Sequence, residues 1–471
     1  MNPNEAAGAP APGWWSQILD AVRGTHHDYT DGSLNRAIVM LAVPMVLEMC
    51  MESLFGLVDI FWVARLGADA ITTVGLTETG LLVIFVASMG LSTGATAMIA
   101  RRTGEKDHAG AGVAAVQAIL LGLVISGVVA ISGYFLADDL LGVLGGSADV
   151  IRTGTGYTRM ILGGSATIFL LFLINGVFRG AGDAAVAMRA LWLANIVNIC
   201  LNPFLIFGWG PFPEMGVLGS AVGTTIGRGT GVVYQLWALY TGRGRITVRG
   251  PQIRVDVEVM VRLVRLSLTA MFQYLVQMAS WIGVVRIVAT FSSSAVAANT
   301  LAIKIIMFAI LPSWGMSNAA ATLVGQNLGA GKPERAEQAV WRTGLYNVLF
   351  LGTVGLFFIV FAEPLIGLFK TDAEVTPIAV QGLRLLSYGY LSYAYGMVLS
   401  AAFNGAGDTF TPTVLNLICF WACQIPLAYV LGVSVGMGPS GVWIAVLTAD
   451  TLLAVLAIIV FRRGAWKGKV V

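Results

Sequence analysis

Beyond a polar head of about thirty residues, the chain alternates between long apolar runs and short polar breaks. The runs hold about 20 residues or more, the length an α-helix needs to cross a hydrocarbon core of about 30 Å. Twelve are readable, at roughly 36–64, 70–99, 111–136, 155–177, 185–208, 217–241, 261–291, 296–324, 340–362, 381–402, 411–434 and 441–461. The pattern predicts an all-α polytopic membrane protein with short connections. Pro44, Pro203, Pro312 and Pro426 fall inside the first, fifth, eighth and eleventh runs, where each predicts a kink.

A second regularity is internal. Gly180-Ala181-Gly182-Asp183 recurs as Gly405-Ala406-Gly407-Asp408, 225 residues later. The same shift carries Gly90, Ser92, Ala95 and Gly104 onto Gly315, Ser317, Ala320 and Gly329, and Gly216-Val217 onto Gly441-Val442. One register across four separated stretches marks a duplication. Six spans separate equivalent positions, so the two six-helix lobes are parallel repeats about an axis along the membrane normal. The expected organisation is a tail at 1–33, a first lobe at 34–241, a linker at 242–257, a second lobe at 258–463 and a second tail at 464–471. The first tail lacks the pattern of a secretory signal. Its Trp14, Trp15, Ile18, Leu19 and Val22 are spaced for a short amphipathic helix on the membrane surface, with a disordered tail as the alternative.

Composition agrees: 57% of residues are hydrophobic and 11% charged, and mean hydropathy is +0.80. The formal charge of +3 reflects basic residues in alternate connections, such as Arg101 and Arg102, Arg179 and Arg189, and Lys332 and Arg335. Those segments, and both termini, are expected on the cytoplasmic side of the cell (inner) membrane. Nucleic acid is not an expected partner. The four cysteines lie in apolar runs, and His26, His27 and His108 lie apart from any ligand cluster, so neither disulfides nor a metal centre is expected. No catalytic triad or phosphate loop is present, which argues against an enzyme.

An ionisable side chain at bilayer depth costs on the order of 3 kcal/mol, so each one is a functional candidate. Glu48, Glu52 and Asp59 in span 1 lie within about 40° of one another on a helix, and Glu78 in span 2 lies at the depth of Glu52. Carboxylates sharing a cavity repel one another when ionised and attract protons or cations. Under the 225 shift these four map to Gln273, Gln277, Val284 and Ile303, so the second half has lost the acids and the coupling site is placed in the first half. Lys304 falls deep in span 8 and Arg286 near the end of span 7. Lys304 is expected to face the acids across the cavity and to pair with one in some conformational state. Structural ion pairing is the competing reading, and for Asp59 and Arg286 so is reaching to the interface. Asn195, Asn198 and Asn202 share a face of span 5, for interhelical bonding or cation contact. Tyr388, Tyr390, Tyr393 and Tyr395 can line a cavity for flat cationic or amphipathic substrates, or simply pack.

Leu41-Ala42-Val43-Pro44-Met45, Val58-Asp59-Ile60-Phe61-Trp62-Val63 and Leu66-Gly67 resemble span 1 of the multidrug and toxic-compound extrusion (MATE) transporters. Arg179 to Asp183, Asn198 with Asn202-Pro203, Gly325 to Gly331 and Asn404 to Asp408 extend the resemblance over nearly the whole chain. It implies twelve helices in two lobes, and export of organic cations or other xenobiotics in exchange for protons or sodium. It implies roles for Asp59 in cation coupling and for Asn198 beside it. Asn202 stands where some members carry a second acid, and Gln277 and Tyr393 where the sodium-coupled branch has its second-lobe acids. Coupling through first-lobe acids is therefore expected, with the proton preferred over sodium, no cofactor, and a monomer in contact with lipid. The alternative is a flippase for lipid or polysaccharide precursors.

Overall fold

The structure is a computed structural model that describes residues 13–25, 27–369 and 372–471. Residues 1–12 of the tail, His26 and the Trp14 side chain lie outside the described residues. The rest is helical: α1 (Trp14–Arg23), α2 (Leu34–Val63), α3 (Ala68–Gly104), α4 (His108–Phe135), α5 (Ala137–Val143), α6 (Ala148–Gly163), α7 (Ser165–Ala181), α8 (Ala184–Phe207) and α9 (Val217–Thr241). The second half gives α10 (Val257–Val288), α11 (Ser293–Gly329), α12 (Pro333–Val360), α13 (Ala362–Gly367), α14 (Val375–Tyr388), α15 (Tyr390–Gly405), α16 (Phe410–Asn416), α17 (Ile425–Tyr429) and α18 (Pro439–Arg462). Among the described residues, ten helices are long and apolar enough to cross a membrane. The two remaining spans fall short for separate reasons: α9 carries Arg228 among glycines and threonines, and the tenth span is broken into α14 and α15 at Gly389.

The duplication governs local structure closely. The helices α3 and α11 are each 37 residues long and α4 and α12 each 28, with both ends related by the 225 shift. The fourth span breaks at Gly164 as the tenth does at Gly389. The short helices α5 and α13, in stretches whose pattern predicts only connections, are equivalent as well. Pro44, Pro203 and Pro312 are buried within α2, α8 and α11, which continue through them. Around Pro426 the chain adopts π turns at Leu417–Gln424 and Val430–Ser434, a wider winding that absorbs an interruption in the hydrogen-bond ladder.

The lobes meet through a pseudo-symmetric seam at the ends that carry the basic residues. A methyl group on Gly104 of α3 would overlap the Gln326 carbonyl of α11, and one on Gly329 of α11 would overlap the Arg101 carbonyl of α3. Further in along the seam, Gly90 abuts the Met271 backbone and its equivalent Gly315 abuts Met45. Only glycine permits such approach of two backbones. Gln326 Nε2 donates to the Gly180 carbonyl at 2.9 Å, and Thr322 Oγ1 to the Arg179 carbonyl at 3.0 Å.

Residues 27–35 strap this closed end. Tyr29 donates to the Gly182 carbonyl at 3.1 Å in the first lobe, while Lys332 Nζ donates to Thr30 O at 3.1 Å and Arg335 Nη1 to Gly32 O at 3.0 Å from the second. The expected amphipathic helix is α1, whose Ala21 is buried while Trp15 and Leu19 stay exposed. The two Gly-Ala-Gly-Asp turns serve matching ends. Asp183 accepts from the Arg245 backbone N–H at 2.5 Å in the linker, and Asp408 pairs with Lys469 at 3.3 Å in the C-terminal tail.

Candidate functional site

Three acids descend one face of α2, as helical geometry requires, and each meets a different partner. Glu48 is fully buried; its Oε1 accepts from Asn175 Nδ2 at 2.9 Å and from Arg179 Nη1 at 3.3 Å, both on α7. Its Oε2 is buried with no hydrogen-bond partner among the described residues. One turn on, Glu52 accepts from Asn195 Nδ2 at 3.3 Å and lies 3.7 Å from Arg228 Nη2 of α9. Two turns further, Asp59 Oδ1 accepts from Asn202 Nδ2 at 2.8 Å and Ser220 Oγ at 3.0 Å. Asn202 is itself held by Asn198 at 3.2 Å, and Asn198 donates to Thr224 at 2.9 Å. The asparagine face predicted on span 5 therefore supplies donors to Glu52 and Asp59 of the acid face on span 1. Charge-assisted bonds of this kind are the strong ones.

Three ionisable groups take places that sequence reasoning misassigns or misses. Arg179, on its sequence an orientation signal in a connection, lies within α7 and pairs with Glu48, its side chain 11% exposed. Arg228, absent from the candidates, lies in α9 with 7% exposure, its guanidinium over Phe55 at 5.4 Å and Phe172 at 5.6 Å. Its signal, a charge inside a predicted span, is hidden by the Gly- and Thr-rich stretch around it. Nor is the second lobe free of intramembrane acids: Asp450 sits in α18, equivalent to Thr225.

The other candidates lie beyond the seam, on the side away from the basic ends. Glu78 and Lys304 are there, one from each lobe and both exposed, and Asp59 and Glu52 are half-buried. The charges of Asp59, Lys304 and Arg228 reach Glu78. Lys304 forms no ion pair among the described residues in this conformation; Glu52 is held by Arg228 instead. Gln273 is buried, with its Oε1 unpartnered among the described residues, and Tyr393 is half-buried. Gln277 is half-buried as well. The acids are strung along the helix, and among the described residues no three His, Cys, Asp or Glu side chains group to hold a metal ion.

Comparison with known proteins gives this arrangement its context. The family model MatE matches residues 44–204 and 267–430, two stretches that repeat at nearly the spacing of the duplication. The chain is 25% identical over 439 residues to the probable multidrug resistance protein NorM of Thermotoga maritima, covering 93% of this chain and 94% of that one. It is 24% identical over 406 residues to a FAD transporter of Shewanella oneidensis, covering 85% and 89%. Its fold matches a multidrug resistance MATE family transporter solved in an outward-facing conformation, with a TM-score of 0.86 and 26% identity over 93% of this chain and 98% of that one. Two homologous six-helix lobes, an acid-bearing first span and a matching family model over both halves together place the chain in the MatE family of multidrug and toxic-compound extrusion transporters.

Proposed function

We propose that the chain is a secondary antiporter that expels organic cations, drugs or other amphipathic xenobiotics in exchange for cations taken up at the first-lobe acids. The observation that carries this reading is Asp59, half-buried on α2 with one carboxylate oxygen fixed by Asn202 and Ser220. A half-buried carboxylate positioned by neutral donors is suited to take up and release a cation. The family and the NorM relative support export of multiple drugs.

In this reading the basic ends and both termini face the cytoplasm of the inner membrane. The conformation, closed at the basic end, is then outward-open, in keeping with its likeness to an outward-facing relative. Rocking of the lobes about the seam exposes the site to the other side, with no chemistry performed and no cofactor needed. A monomer encloses the whole path.

The experiment is dye efflux from proteoliposomes under an imposed ion gradient. Asp59→Asn, expressed and purified at wild-type levels, should abolish gradient-driven efflux; wild-type rates in that variant would sink the assignment. A second reading, anionic or lipid-linked cargo, draws on the cations Lys304 and Arg286 in the second lobe and on the FAD transporter among the relatives. Efflux of an anionic dye in preference to a cationic one would favour it.

A further inference from the structure

Where the strap meets the seam, the basic end holds a cavity of about 320 Å³. That volume lies at the lower end of the range for small-ligand sites, about 300 to 1,000 Å³. Its lining includes His27 and Asp28 of the strap, Thr103 at the end of α3, Lys106 in the turn that follows, Arg245 of the linker and Gln326 of α11. Two of these side chains carry buried polar atoms with no hydrogen-bond partner among the described residues, Thr103 Oγ1 and His27 Nε2. Burying such atoms unpaired is costly, and a ligand that pairs with them recovers the loss. Cations outnumber acids in the lining. Arg245 is held by Asp183 at 4.0 Å and lies over the Tyr29 ring at 4.6 Å, and the charges of Arg36, Arg245 and Arg335 reach His27. Asp28, the acid of the lining, has its Oδ1 occupied by the Thr30 backbone N–H at 2.9 Å and the Thr30 hydroxyl at 2.7 Å.

The duplication separates what the turn needs from what the cavity needs. Lys106 has a left-handed backbone, φ 62°, a conformation that favours glycine, and its equivalent in the second lobe is Gly331 with φ 70°. Both turns close with the same backbone hydrogen bonds: Lys106 N–H to Thr103 O and Asp107 N–H to Arg102 O in one lobe, Gly331 N–H to Leu328 O and Lys332 N–H to Asn327 O in the other. Thr103 and His108, which also lines the cavity, correspond to Leu328 and Pro333. The second lobe therefore makes this turn without a lysine, a hydroxyl or an imidazole. The first lobe bears backbone strain to place a cation there, which points to a use for the side chain.

We propose that this cavity binds a phosphate group, of a soluble phosphate or of an anionic lipid headgroup, and that the bound group braces the closed basic end. A phosphate presents several acceptor oxygens, and ammonium, guanidinium, imidazole and hydroxyl groups are the donors that match them. Here those donors come from the strap, the first lobe and the linker, with Gln326 of the second lobe in the same wall. An anion among them ties together the pieces that must separate when this end opens. The inference does not depend on which ion or cargo the protein moves.

The test is thermal unfolding of the purified full chain in a non-ionic detergent, titrated with sodium phosphate against sodium chloride at equal ionic strength and pH. It is repeated in nanodiscs of phosphatidylcholine with and without phosphatidylglycerol. The wild type should gain saturable stabilisation, about 2 °C or more in unfolding temperature, from one ligand or both, and the arm that responds names the source. Lys106→Gly, which takes the second lobe's residue at this turn, should fold and lose the response, and Thr103→Val should weaken it. Arg262→Gln, which removes an exposed charge at the start of α10 outside the cavity, should keep it. With a cysteine at position 322 in a cysteine-free background, the effective ligand should slow maleimide labelling from the basic face severalfold, but not in Lys106→Gly. No response in either arm, a response that survives Lys106→Gly, or one lost equally in Arg262→Gln overturns the inference. Stabilisation that leaves labelling unchanged overturns the bracing role. Should Lys106→Gly not fold, Thr103→Val decides.

Discussion

Arg179 of α7 donates to Glu48 of α2 at 3.3 Å, while its own backbone carbonyl accepts from Thr322 of the opposite lobe at 3.0 Å. An ion pair buried inside one lobe therefore abuts the contact that closes the seam between the two. Arg179 Nη2 also reaches Ser92 Oγ at 3.4 Å, and Asn175, which donates to Glu48, accepts from Gln235 Nε2 at 2.6 Å.

Removing one member of a buried pair costs more than removing both, because an uncompensated charge remains. Glu48→Ala should destabilise the protein by about 3 to 5 kcal/mol, and Glu48→Ala with Arg179→Met by markedly less. Thermal unfolding in detergent reads both. Equal losses in single and double variants would show that Glu48 acts through packing and not through its charge.

The glycine seam predicts a conformational effect. Gly104→Val and Gly329→Val place side chains against the Gln326 and Arg101 carbonyls, so the basic end cannot close and the protein should shift to the opposite state. In a cysteine-free background, a cysteine at position 322 should become reactive to a water-soluble maleimide from the basic face. Unchanged protection would mean that other contacts hold the seam.

The pairings visible here also rank couplings among the charged residues. Glu52 and Arg228 are in contact, so Glu52→Gln and Arg228→Met should be strongly non-additive in thermal stability. Glu52→Gln and Lys304→Ala should add to within about 0.5 kcal/mol in this conformation, as separated sites do. Strong coupling between Glu52 and Lys304 would restore the cross-cavity pair expected from the sequence.

Much of this arrangement is legible in the amino-acid sequence, and what is not has physical reasons. The duplication fixes equivalent helix ends, so α3 and α11 align from glycine-marked stretches alone. Helical periodicity places Glu48, Glu52 and Asp59 on one face, and Asn198 and Asn202 on another, because both depend only on local geometry. What each acid bonds is a tertiary fact: Arg179 looks like a loop cation until α7 is seen to run to Ala181. Arg228 and Asp450 obey the same rule as the other intramembrane charges and, like them, lack a charged equivalent under the 225 shift. The π turns around Pro426 have no periodic signature, and α5 and α13 are too short to show one.

The strap across the closed end carries a histidine, His27. His27 lies between Arg36, Arg245 and Arg335, and its Nε2 is buried without a partner among the described residues. Burial, then the charges of Arg36 and Arg245, hold its imidazole below the ordinary histidine value, with Asp28 opposing them. The undocked strap therefore binds a proton more readily than the docked one. Its docking is at full strength above the ordinary histidine value of about 6.5 and is lost progressively as pH falls below it. Arg245 also donates to the His27 carbonyl, so a protonated His27 repels the residue that anchors it. A fluorophore on a cysteine at exposed position 25 should lose anisotropy as pH is lowered from about 7.5 to 5.5 across that range. His27→Gln, which cannot titrate, should flatten the response. A response that persists in His27→Gln would assign the pH dependence to another group, and Asp28 is excluded because its carboxyl is held below the usual range by Thr30.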